Sequence, residues 1–131
     1  MLKILNNCCS PEYLNFLKNY ASISENWNLN FPSGEHHPIE DKFLKLNIVN
    51  NGIKHPFLAG LAMGLLIQIY EVAGKDLFIP EIGLCGISIK DKHRTDNIHT
   101  DEEKKHGLVK ILGILNSDWE ESWGGGFNYD G

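Results

Sequence analysis

A chain of 131 residues, 42% hydrophobic and 22% charged, can build one compact soluble domain with a real core, and not two. Its formal net charge of −5 excludes a general nucleic-acid or anionic-membrane surface, which needs clustered Lys and Arg. A single nucleotide or nucleobase held in a pocket stays open, and Arg94 is the one arginine available for bidentate anion recognition.

The N-terminus, Met1-Leu2-Lys3-Ile4-Leu5-Asn6-Asn7, lacks the sustained apolar region of a signal peptide. Cys8 and Cys9 are adjacent, an awkward geometry for a mutual bridge, and with Cys85 they make an odd count without a CxxC. A reducing, cytoplasmic setting is expected, with Cys85 as a small core residue. Ser10-Pro11-Glu12 reads as a helix start: a capping hydroxyl, proline in the first turn, then an acid. Tyr13, Phe16, Leu17 and Tyr20 follow at helical spacing, so one side of that helix should pack onto something larger.

Residues 21–38 are rich in Asn, Ser, Pro and Gly around Trp27 and Phe31, the texture of an irregular loop. Phe43, Leu44, Leu46, Ile48 and Val49 predict a short strand or helix before an Asn50-Asn51-Gly52 turn. The strongest helix runs from Pro56 to Ala73 and stops at Gly74; apolar nearly all round, it is expected to be buried. Gly60 and Gly64 would let it approach a neighbour closely, and the uncharged stretch 56–70 is too short for a comfortable bilayer span.

After Asp76 the texture turns to β. Residues 77–90 suggest one or two strands with a bend or bulge at Gly83 or Gly86. A polar loop precedes His99, and 108–115 reads as a largely buried strand. The expectation is therefore a single α+β domain, helices first and sheet second. Residues 1–76 would form helical support and 77–131 the first strands of the core.

His99-Thr100-Asp101 carries the chemistry. Two residues apart on a strand, an imidazole and a carboxylate project to one face and can grip one metal ion. They are two thirds of the 2-His-1-carboxylate triad that leaves positions open on a non-haem Fe(II). Behind them stand Ile114-Leu115-Asn116, Asp118-Trp119 and Trp123-Gly124-Gly125. That set, over residues 98–127, resembles the 2-oxoglutarate and Fe(II)-dependent dioxygenases of the prolyl 4-hydroxylase-like branch, in their N-terminal portion only. Specificity lies in the set, since His-x-Asp alone is common.

The resemblance implies a fold with N-terminal helices packed on a double-stranded β-helix (jelly roll). It implies His99 and Asp101 as the first two iron ligands, and Fe(II), 2-oxoglutarate as co-substrate, and ascorbate as further cofactor. The implied reaction uses O2, releases succinate and CO2, and hydroxylates a protein prolyl residue, a nucleobase or a small metabolite. Asn116, Trp119 and the glycine run would end one strand and turn into the next. The family's distal histidine and its 2-oxoglutarate-binding basic residue have no counterpart before Gly131, and Ile114 stands where a tyrosine is frequent. The chain is accordingly expected to be the N-terminal part of a longer enzyme, with weak metal binding and little turnover by itself.

Rival readings remain. His106, His93 and the His36-His37 pair are expected to be surface or turn residues without zinc spacing, Trp119 and Trp123 core or lid residues, and Glu120 and Glu121 a solvated face. A non-catalytic jelly-roll module with a vestigial metal motif, or a local metal site from His93, His99, Asp101 and His106, would fit the same residues.

Overall fold

The computed structural model of the chain describes residues 2–30, 43–90, 109–116, 118 and 120–123. Two helices and three strands make up its framework, in the order α1 (Pro11–Ile23), β1 (Asn28–Asn30), β2 (Phe43–Val49), α2 (Pro56–Ala73) and β3 (Cys85–Lys90). A short 3-10 turn, Glu121–Trp123, lies near the end. The protein is thus mixed α and β, with an antiparallel sheet ordered β1-β2-β3. Helices and strands interleave rather than segregate, because β1 and β2 both precede α2.

Local chemistry explains the helices. Ser10 is the N-cap of α1, its hydroxyl accepting a hydrogen bond from the Tyr13 backbone N–H at 3.2 Å, and Pro11 follows where a missing N–H costs nothing. The predicted face holds: Leu17 is buried, the Phe16 and Tyr20 rings pack on Phe57 of α2, and the Tyr13 hydroxyl donates to the Leu61 carbonyl. The Tyr13 hydroxyl lies directly over Gly64, where any Cβ would collide with it, so Gly64 lets the helices meet. Gly60 meets nothing within 4 Å.

The helix α2 ends at Gly74, whose φ of 112° is a region that L side chains rarely adopt. Lys3 donates its ammonium to the Ala73 carbonyl, placing a cation at the negative end of the helix and satisfying a terminal acceptor.

The core forms between α2 and the sheet. Strand β2 alternates, so Leu46 and Ile48 point inward and are buried with Leu58 and Ala59 of α2 and Ala21 of α1. Trp27 joins them and donates its indole N–H to the Ala21 carbonyl at 3.0 Å. After β2 the chain turns through Asn51 and Gly52, with φ values of 52° and 114°, and Lys54 bonds back to the Ile48 carbonyl at 2.8 Å. That turn delivers Pro56 to the start of α2 and so sets the helix against the strand it follows.

Four expectations need correction. Residues 21–38 are not a loop throughout: α1 continues to Ile23, and Asn28–Asn30 pairs with Phe43 to Lys45 as β1, a polar triplet made into a strand by its partner. Only Leu58, Ala59, Ala62 and Ala73 of α2 are buried, while Phe57, Ile67 and Val72 are exposed, since α1 and β2 cover only part of its circumference. The stretch 77–84 is not strand. The irregularity there lies in β2 between Asn47 and Val49, opposite Gly86 and Cys85. A Cβ on Gly86 would lie 3.1 Å from the Leu46 carbonyl oxygen, so glycine allows the close approach.

Residues 109–116 are neither strand nor buried. Val109, Ile111, Leu112 and Ile114 are all exposed, having no ladder partner among the described residues. Among the described residues the sheet has three strands.

Candidate functional site

His99 and Asp101 lie outside the described residues, as do His36, His37, His93, Arg94, His106, Trp119 and the run 124–127. What the structure describes is the ground on either side. Strand β3 leads toward the motif and ends at Lys90, an edge strand of the described sheet bonded to β2. Beyond the motif, Leu115 is half-buried and Asn116 and Asp118 are exposed, with Glu120 and Glu121 exposed as expected of a solvated face. His55 is the one histidine among the described residues. There it is the N-cap residue of α2, with no hydrogen bond from its side chain to the helix. No group of three His, Cys, Asp or Glu side chains able to hold a metal occurs among the described residues.

A histidine and an aspartate, as donors, would have a chemical preference. One imidazole nitrogen and one carboxylate oxygen suit a borderline, first-row divalent ion such as Fe(II), and are poorly matched to soft, thiolate-seeking metals. Cys85, the nearest described thiol in sequence, is half-buried against the core cluster, and burial pushes its pKa up. It behaves as the small packing residue expected, held protonated rather than as a thiolate ligand.

Sequence reasoning did not find two features. An open groove of about 420 Å³ runs between β2, its turn and α2, lined by Val49, Ile53, Pro56, Ala59, Gly60 and Met63, with Glu81 and Ile82 across from them. Its lining residues are apolar apart from Glu81, so it offers shape and burial but few groups to orient a reacting substrate. The second is at the entry to α1. There burial, and then the neighbouring Cys8, push the Cys9 pKa up.

Among the described residues the buried Asn47 Oδ1 has no hydrogen-bond partner, a rarity for a polar atom removed from water. It sits at the irregularity where β2 and β3 change register, and local distortion of the ladder is its structural setting.

By length and composition, α2 is long and apolar enough to cross a membrane. At 18 residues it exceeds the uncharged stretch read from the sequence, and in the fold it contacts both α1 and β2. No protein-family model, curated protein or solved structure matches this chain.

Proposed function

We propose that this protein is an Fe(II)- and 2-oxoglutarate-dependent oxygenase of the prolyl 4-hydroxylase-like type, built on a jelly-roll core. The observation that carries the reading is the ordered set His99-Thr100-Asp101, Leu115-Asn116, Asp118-Trp119 and Trp123-Gly124-Gly125 within one short span. An antiparallel sheet buttressed on one face by a long apolar helix, α2 against β2, is the kind of support such a core needs. In this reading α2 is a packing helix of a cytoplasmic protein and not a membrane span.

His99 would hold the metal through an imidazole nitrogen and Asp101 through a carboxylate oxygen. With 2-oxoglutarate and O2, Fe(II) supplies the oxidising chemistry that turns a substrate C–H into C–OH, with succinate and CO2 as co-products. The chain's own contribution would be to hold the two donors together and to leave further coordination positions open. Supporting side chains must hold both donors firmly, because loosely held ligands lose metal and orientation together.

The direct test is succinate release from 2-oxoglutarate by the protein as its gene encodes it, supplied with Fe(II), O2 and ascorbate. Release should depend on 2-oxoglutarate and Fe(II), and it should vanish in both His99→Ala and Asp101→Ala. Turnover that survives both substitutions, or no Fe(II)-dependent release at all, would remove the basis for the proposal. The primary substrate belongs to the protein prolyl, nucleobase or small-metabolite classes.

A further inference from the structure

Two glycines of α2 differ in what surrounds them. Gly64 weakens the helix but in return admits the Tyr13 hydroxyl of α1. Gly60 weakens it as much, yet a Cβ there would meet nothing within 4 Å, so no described neighbour accounts for it. What it adjoins is the groove, which it lines together with Pro56 and Met63 of the same helix. Spaced i, i+4 and i+7, these three share one side of α2, and Gly60 leaves the middle of that stripe bare.

The opposite wall is tied down on both sides. Phe78 sets its ring against the edge of Tyr70 of α2, with centroids 5.5 Å apart, and Cys85 opens β3 by pairing with Val49. Between these ties the chain turns tightly at Pro80, the Glu81 N–H bonding back to the Ile79 carbonyl at 2.8 Å. That turn brings Glu81 and Ile82 to the groove. Glu81 is exposed and is the one charged residue among the described lining residues. Its carboxylate has no ion pair or hydrogen bond among the described residues.

We propose that the groove is a binding site for a small amphiphilic amine, with its ammonium beside Glu81 and its hydrocarbon chain along Gly60 and Met63. A volume of about 420 Å³ suits a single small ligand, within the roughly 300–1,000 Å³ of such pockets. A folded protein partner would instead need a face of about 800 Å². The apolar walls favour a hydrocarbon chain, because both surfaces shed water when they meet. Met63 suits chains of varied shape, since its unbranched thioether adapts to what lies against it. The lone carboxylate then selects by charge: it attracts a cation and repels an anion of the same length. Because Glu81 is exposed, that preference is modest and fades with salt.

Hexylamine, hexanol and hexanoate, equal in chain length and different in charge at neutral pH, test the site when titrated into the isotope-labelled full chain at low salt. Amide NMR shifts should appear at Gly60, Met63, Glu81 and Ile82 and should saturate. Hexylamine should bind about two- to fivefold more tightly than hexanol, with hexanoate weakest. In Glu81→Gln the amine and the alcohol should bind alike, and in Glu81→Lys hexanoate should overtake hexylamine. Glu81 is exposed, so these variants keep the fold and the charge test stands by itself. Gly60→Leu, whose side chain enters open space, should fold as the wild type does and lose binding of all three. Shifts that do not saturate or lie away from the groove, an amine preference that survives Glu81→Gln, or full binding by folded Gly60→Leu would overturn the site. So would a dimer in sedimentation that Gly60→Leu dissociates, since a second copy would then be the occupant.

Discussion

Strand β2 and residues 109–116 are two apolar segments of similar length with opposite fates. The first, Phe-Leu-Lys-Leu-Asn-Ile-Val, is bonded on both sides, and its Leu46 and Ile48 are 0% and 2% exposed. The second, Val-Lys-Ile-Leu-Gly-Ile-Leu-Asn, is similarly apolar, yet Leu112 and Ile114 are 57% and 54% exposed. Apolar sequence supplies the tendency to be buried, but a strand forms only where partners take up its backbone groups and a second layer covers its face. For β2 those partners are β1, β3 and α2.

The sharpest way to break that comparison is a matched truncation. Leu46→Ala should cost roughly 2–5 kcal/mol in urea denaturation, because it opens a cavity in the central strand. Leu112→Ala should fall within about 0.5 kcal/mol of the wild type, as exposed positions do. Equal costs would mean that 109–116 packs as tightly as β2.

Next in size is the helix contact. Gly64→Ala should destabilise by about 1–3 kcal/mol, since the new methyl meets the Tyr13 hydroxyl. Gly60→Ala, with nothing within 4 Å, should instead gain up to about 1 kcal/mol from helix propensity. Thermal melts of the two variants in opposite directions would confirm which glycine faces α1.

Removing the cap, Ser10→Ala, should cost about 1 kcal/mol and fray the first turn of α1. The smallest effect is in alkali. Burial raises the Cys85 thiol above its ordinary value of 9.0, so the unfolded chain ionises first. The stability tied to that proton is complete below pH 9.0 and declines as pH rises toward the higher folded value, and Cys85→Ala should flatten that part of the pH profile.

The elements most legible in the sequence were those fixed by local chemistry. The Ser10-Pro11 cap, the Asn51-Gly52 turn and the Gly74 stop each depend on nearby backbone needs, and each is where the residues pointed. Partnership was not legible. Asn28–Asn30 has no strand character of its own, the covered face of α2 is chosen by Tyr13 and β2, and an apolar run could be read as buried without a layer to bury it. The candidate iron donors were legible as a tripeptide with a patterned sequel. The groove beside Glu81 was not, since its walls come from β2, its turn, α2 and the chain ahead of β3.

The proposal that His99 and Asp101 form an oxygenase iron site is tested most directly by anaerobic titration with Fe(II) and 2-oxoglutarate. The protein as encoded should develop the visible charge-transfer band of 2-oxoglutarate chelated to Fe(II). That band should disappear in His99→Ala and in Asp101→Ala, and it should persist in His93→Ala and in His106→Ala. A band unaffected by His99→Ala and Asp101→Ala, or no band at saturating metal and 2-oxoglutarate, would contradict it.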